Sequence, residues 1–354
     1  MNLHVGSMNK SNENNRILLN VRNLITNFPL YKGSIFKRKI GKIQAVDNVS
    51  FQIKQSKTLG LVGESGCGKT TVGRSILLLN KYSSGEILYN GKNILKLNKQ
   101  QLHMFRKEVQ MIFQDPFGSI NPRMTAGDVV GEPLIIHHLC QTKSDYRKKI
   151  EHLFEIVGLN PGMINRYSHE FSGGQRQRIV IARALSVQPK FLICDEPLSS
   201  LDVSIQAQII NLLEDLQKRF NLTYLFISHD LSVVRHISDT IAVMYMGNII
   251  EIAGQMALFK NPLHPYTKAL LYSVPIPDPL IEEKREHFMR IKGEIASHTN
   301  LPSGCKFHPR CPHATQKCKM SSPQLKSYLS SFKEEKEKNA DETEHFVACF
   351  FPNK

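Results

Sequence analysis

One eight-residue stretch, Gly63-Glu64-Ser65-Gly66-Cys67-Gly68-Lys69-Thr70, constrains this chain more than any other. It follows the pattern Gly-x-x-x-x-Gly-Lys-Ser/Thr and comes directly after an apolar run, Thr58-Leu59-Gly60-Leu61-Val62. Glycines at these positions let successive backbone N–H groups turn inward and form a concave nest for an anion. A helix starting near Lys69 points its positive end at the same place. Val72, Ile76 and Leu77 fall on one side of that helix, as packing against a sheet requires. The expected cradle is residues 63–70 with Thr71: Lys69 reaches the β- and γ-phosphates of a nucleotide, and the Thr70 hydroxyl serves Mg²⁺. With the buried strands expected at Phe191–Cys194 and Leu222–Ile227, this implies an α/β fold with a parallel sheet and covering helices.

The 354 residues suffice for one large domain and a smaller one. No apolar run reaches the roughly 18–20 residues of a membrane-crossing helix. The first sixteen residues are polar and Asn-rich, without the apolar core of a signal peptide. A cytoplasmic chain is expected, one that can sit against a membrane. The net charge of +15 suits nucleic acid, anionic lipid or nucleotide polyphosphate. It equally suits a plain solvated surface, since the basic residues are scattered apart from Lys37-Arg38-Lys39 and Arg147-Lys148-Lys149. The seven cysteines are expected as thiols in a reducing compartment.

Alternating patterns at Ile17–Val21 and Val49–Ile53 read as strands, with a loop signal at Pro29–Gly33 between them. Ser84–Tyr89 reads as a strand ending in an Asn90-Gly91 turn. Val109–Phe113 is a short strand, and 125–168 is helical, punctuated at Gly131-Glu132-Pro133. The continuous apolar runs Phe191–Cys194 and Leu222–Ile227 imply strands buried on both faces. Ile205, Ile209, Leu212, Leu213 and Leu216 mark a crossover helix between them. Ile241–Met246 is a further strand, closed by Gly247-Asn248. Pro275, Pro277 and Pro279 mark a linker, and the run Lys333–Lys338 has little to bury and is expected to be mobile.

Two more segments carry chemistry. In Phe191-Leu192-Ile193-Cys194-Asp195-Glu196-Pro197, an acid ending a buried strand can hold Mg²⁺, a role for Asp195. Its neighbour Glu196 can take a proton from an attacking water. Two acids at a strand end are otherwise solvated turn residues. In Phe171-Ser172-Gly173-Gly174-Gln175-Arg176, a serine and two glycines open a helix and make a second anion-binding end. Alone, this segment is equally a helix cap.

Taken together, these three segments resemble the nucleotide-binding subunit of ATP-binding-cassette (ABC) transporters, with Phe171 where most members have Leu. The resemblance implies a P-loop cassette with a RecA-like parallel-sheet core, an antiparallel β subdomain and an α-helical subdomain. It implies ATP and Mg²⁺ as ligands, with Mg²⁺ served by Thr70, Gln114 and Asp195. It makes Gln114 the contact to the attacking water, Glu196 the base and His229 the switch at the γ-phosphate. Ser200-Leu201-Asp202 would cross a dimer interface. Ser172, Gly173, Gly174 and Gln175 would grip the phosphates held by a second cassette. The family also stacks an aromatic on adenine, for which Tyr31 and Phe36 are the candidates.

Gln114–Arg123, Asp202–Gln208 and His264–Leu270 narrow the resemblance to the oligopeptide/dipeptide importers, and Gly118–Arg123 to their F-type ATPase. That implies a second, non-identical D-type cassette, two membrane permeases and, indirectly, a solute-binding protein. The expected place is the cytoplasmic face of the plasma membrane. A nickel importer is an alternative solute class. A nucleic-acid ATPase is disfavoured, because the interval 114–172 is too short for an inserted coiled coil. The expected organisation is a flexible segment at 1–16, the ATPase domain at 17–272 and a Cys-rich C-terminal extension at 273–354.

Cys305, Cys311, Cys318 and Cys349 lie in that extension, with His308 and His313 among them. Four thiolates can hold zinc or an iron–sulfur cluster. The C-x5-C-x6-C spacing is not the usual zinc pattern. Ser303–Pro312 resembles the importers' C-terminal extension, in some of which these cysteines ligate a [4Fe–4S] cluster; a metal-free packing tail is the alternative.

Overall fold

The computed structural model describes residues 16–32, 38–199, 201–273, 301–328 and 345–352. Its strands are β1 (Ile17–Lys32), β2 (Arg38–Lys54), β3 (Thr58–Val62), β4 (Ser84–Tyr89), β5 (Lys92–Asn93), β6 (Val109–Ile112), β7 (Phe191–Asp195), β8 (Thr223–Ser228), β9 (Thr240–Tyr245), β10 (Asn248–Gly254), β11 (Lys326–Ser327) and β12 (Phe346–Val347). The chain divides into two compact units. The first holds residues 16–21, 51–58 and 87–225; the second holds the described residues within 22–50, 59–86 and 226–352.

In the first unit, β6 and β7 pair in parallel, Val109 opposite Phe191 and Ile112 opposite Cys194. Every residue of β7 is buried, which is why it reads as an unbroken apolar run rather than an alternating one. Helices Ala126–Ile136, Lys143–Ile156 and Gly173–Leu185 pack on one another. The sequence reading of Gly131-Glu132-Pro133 as a break is corrected, because the first of these helices runs straight through it. Each of the three has a local reason. A Cβ at Gly131 would lie 2.1 Å from the Tyr146 hydroxyl, so glycine admits that ring. Glu132 binds Arg183 Nη2 at 2.7 Å. Pro133 lacks only one ladder bond, and the capping box of Thr125 and Asp128 secures the helix start. Leu88 and Tyr89 pair with Asn93 and Lys92 around Asn90 (φ 49°) and Gly91 (φ 76°), the left-handed pair a tight hairpin needs. Helix Val203–Phe220 buries Ile209, Leu213 and Leu216 and ends on Asn221 at φ 52°.

The second unit contains a sheet segment in the order β11-β12-β10-β9-β3. β3 and β9 are parallel, Val62 opposite Val243. The chain then turns through Met246 and Gly247 into antiparallel β10. Glycine at 60 lets helix Leu231–Ile237 lie against β3, since a Cβ there would meet Val234 at 2.4 Å. β1 runs through Pro29, where the sequence suggested a loop; a strand accepts proline where the nitrogen is not asked to donate. The C-terminal residues join this unit as well. β12 pairs with β10, Glu251 opposite Val347. Fully buried Glu251 accepts from the backbone N–H groups of Leu263 (2.7 Å) and His264 (2.9 Å) and binds His345 Nε2 at 2.7 Å. Removing one partner of such a buried set costs about 3–5 kcal/mol. His264 is also fully enclosed; burial lowers its pKa to about 4, and its Nδ1 accepts from the Tyr266 N–H at 3.0 Å. The charged run 333–338 and the proline linker lie outside the described residues.

Candidate functional site

The phosphate loop belongs to the second unit. Gly63, Gly66 and Gly68 take φ of 154°, 79° and 109°, conformations that L side chains rarely adopt. Space reinforces the requirement at two of them. A Cβ at Gly63 would meet the Met244 carbonyl oxygen at 2.1 Å, and one at Gly68 would meet that of Ala45 at 2.3 Å. Gly66 faces open space, so there only the backbone matters. Helix Lys69–Ile76 then starts with Gly68 as its N-cap, and no side chain caps it. The N-terminal end of a helix without a side-chain cap suits an anion. Lys69 is buried, and its Nζ donates to the carbonyls of Gly63 (2.8 Å) and Glu64 (3.0 Å). Cys67 is buried too, and burial pushes its thiol pKa up despite the nearby Lys69. Ser65 and Gly66 are exposed, and Thr70 and Thr71 are half-buried.

A separate carboxylate cluster belongs to the first unit. Asp195 ends β7 and is fully buried. Glu196 follows it, half-buried and held at φ 46°. A non-glycine residue there carries about 1–3 kcal/mol of local strain and persists only where its surroundings enforce it. Ser199 Oγ donates to the Glu196 carbonyl at 3.2 Å. Gln114, just past β6, donates from Nε2 to Glu196 Oε2 at 2.9 Å. Parallel pairing of β6 and β7 is what brings residues 114 and 196 together. Mg²⁺ bound with phosphates keeps waters and needs only one or two protein oxygens. Within the first unit, Asp195 and Gln114 are oxygen-bearing side chains of that kind; within the second, the Thr70 hydroxyl beside the glycine cradle is another.

Ser172 caps helix Gly173–Leu185. Its Oγ accepts from the Gln175 N–H at 3.4 Å, while its own N–H donates to Gln175 Oε1 at 3.0 Å. The helix-cap reading of this segment therefore holds. The glycines have a second function that the sequence hid. A Cβ at Gly174 would lie 2.5 Å from Ile205 and one at Gly173 would lie 3.3 Å from Leu201, so they let the neighbouring helix approach. His229 is exposed between β8 and the helix capped by Asp230, whose Oδ1 accepts from the Ser232 N–H at 2.8 Å. Phe36 and Ser200 lie outside the described residues, and only the backbone of Tyr31 is described.

Cys305, Cys311, Cys318 and Cys349 line one cavity with His313 and Phe307. Burial pushes the Cys305 thiol up to about 11 and raises Cys311 and Cys349. His313 Nε2 is buried there with no hydrogen-bond partner. Among the described residues, no three His, Cys, Asp or Glu side chains are disposed to hold a single metal ion. Nor is any described helix long and apolar enough to cross a membrane.

The ABC transporter family matches residues 46–199, and the oligopeptide/dipeptide transporter C-terminal region matches residues 250–318. The oligopeptide transport ATP-binding protein AppF of Bacillus subtilis is 50% identical over 95% of this chain and 98% of its own length. OppF of Haemophilus influenzae, which carries the same description, is 46% identical over 95% and 97%. Among solved structures, the dimeric ATP-binding cassette MJ0796 in a post-hydrolysis state bound to ADP and Pi superposes with a TM-score of 0.59. It is 26% identical and covers 67% of this chain and 98% of that one. A glycine-cradled lysine, a glutamine on a strained glutamate and relatives matched nearly end to end place this chain in the ABC transporter family, among the oligopeptide transport ATP-binding proteins.

Proposed function

We propose that this chain is the ATP-hydrolysing motor subunit of an oligopeptide or dipeptide ABC importer. The observation that carries the reading is the Gln114–Glu196 contact at the end of a fully buried strand. Hydrolysis of a phosphoanhydride needs positioning and charge neutralisation more than covalent chemistry. Lys69 and the backbone of residues 63–70 take the negative charge of the phosphates. Mg²⁺ arriving with the nucleotide would be held by Thr70, Asp195 and Gln114, and Gln114 would also orient a water. Glu196 accepts that water's proton as oxygen attacks the γ-phosphorus and the bond to the β-phosphate oxygen breaks, releasing ADP and phosphate. His229 contacts the γ-phosphate. Ser172 and Gly174 reach the phosphates held by a second cassette.

The partners in this reading are a non-identical D-type cassette and two membrane permeases at the cytoplasmic face, supplied by a solute-binding protein. No nucleic acid is involved. In cells lacking this chain, uptake of a labelled tripeptide is expected to vanish and to return with the wild-type gene. Unchanged tripeptide uptake, together with lost uptake of nickel, would move the assignment to another solute.

The C-terminal cysteines support a second element of the reading, a [4Fe–4S] cluster held by Cys305, Cys311, Cys318 and Cys349. Four thiols lining one cavity are the ligand type that such a group takes. A four-iron cluster also spreads its ligand sulfurs wider than a single ion does. Protein purified without oxygen is expected to be brown and to carry about four irons per chain; a folded, colourless and iron-free protein would reject the cluster.

A further inference from the structure

The segment between Cys305 and Cys311 contacts the phosphate loop directly through Arg310 and indirectly through Lys306. Arg310 Nη1 donates to Glu64 Oε2 at 2.9 Å and Nη2 to Glu64 Oε1 at 3.1 Å, a two-pronged grip on a loop residue 246 positions away. Only 9% of the Arg310 side chain and 22% of Glu64 are exposed. Tyr245 adds its hydroxyl oxygen to Nη1 at 3.3 Å. The Glu64 N–H donates to the Tyr266 hydroxyl oxygen at 3.0 Å, and the Glu64 carbonyl takes Lys69 Nζ. Glu64 is thus held by its side chain, its N–H and its carbonyl, and the last of these is tied to the lysine itself.

The indirect brace runs through Lys306. Its Nζ donates to Asp47 Oδ2 and to the Met246 carbonyl, each at 2.9 Å. The next residue, Gly247, donates its N–H to the Cys67 carbonyl at 2.9 Å. Between the two braces, the Phe307 ring sits edge-on to Tyr245 (5.3 Å) and Tyr266 (5.5 Å). A planar guanidinium gripping a carboxylate with both prongs fixes direction as well as distance. A largely buried pair escapes the screening that makes surface pairs weak.

We propose that Arg310 is a positioning residue for ATP: gripping Glu64, it holds the phosphate loop in its nucleotide-accepting shape, so the C-terminal segment sets nucleotide affinity. This rests on the reading of residues 63–70 as the ATP cradle. Energetic coupling of this kind is carried by contiguous packed and hydrogen-bonded groups, here 305–311, Glu64 and Lys69.

The test measures binding of a fluorescent ATP analogue with Mg²⁺ to the full-length chain, with thermal melting alongside. Arg310→Ala is expected to raise Kd about tenfold. In the assembled importer it is expected to raise KM for ATP while kcat changes little. Arg310→Lys keeps the charge but loses the fork and falls between wild type and alanine. The exchanged pair Glu64→Arg with Arg310→Glu regains affinity over either single change. If Arg310→Ala does not fold, Arg310→Lys decides. A Kd within about twofold of wild type for the folded Arg310 variants overturns the proposal, whether or not melting shifts, provided Lys69→Ala has lost binding. If Lys69→Ala binds as wild type does, the underlying reading of the cradle falls instead.

Discussion

Glu196→Gln is expected to cut phosphate release by about 10²- to 10⁴-fold while Mg·ATP stays bound. The two side chains have the same shape, so what is lost is the capacity to accept a proton. The amide can still meet Gln114 Nε2, which lies 2.9 Å from Glu196 Oε2 in the native site. Glutamine also takes the φ of 46° at no greater cost than glutamate, so the turn after β7 is kept. Asp195, the neighbour proposed to serve Mg²⁺, remains buried at the strand end. The variant should therefore fold, bind nucleotide with an affinity close to wild type and stop at that point. Steady-state phosphate release paired with nucleotide retention checks both halves. Undiminished release would take the role of base away from Glu196; lost binding would mean that the carboxylate serves the ground state.

The parts of this site legible in the sequence are those whose chemistry is local. A lysine after a glycine loop, an acid closing an apolar run and a serine three residues before a glutamine each follow from the backbone within one turn. The Asn90-Gly91 hairpin belongs with them. What could not be read are contacts between distant residues. Nothing near Arg310 points to Glu64, and nothing near Gly174 points to Ile205. Pro29 and Pro133 misled for a related reason. Proline reports the loss of one donor, and whether that donor is needed depends on neighbours the local sequence does not contain. The pairing of β12 with β10 was hidden because two-residue strands carry no periodicity.

The second large effect is expected at Lys69. Its ammonium is buried and already gathered by the carbonyls of Gly63 and Glu64, inside a loop that glycine alone permits at positions 63 and 68. Alanine there removes the charge proposed to meet the phosphates along with the ties to the Gly63 and Glu64 carbonyls that shape the loop. Charge-assisted contacts contribute about 1.5–3 kcal/mol each, so the affinity for Mg·ATP should fall at least about 10²-fold, and turnover with it. The helix start survives, because alanine is the best of helix formers. Titration of the wild-type chain and Lys69→Ala with a fluorescent ATP analogue and Mg²⁺ tests the account most directly. Saturable binding by the wild type that disappears in a folded Lys69→Ala protein is the predicted result. A wild type that does not retain Mg·ATP, or a variant that binds and hydrolyses it as well as wild type, would contradict the account.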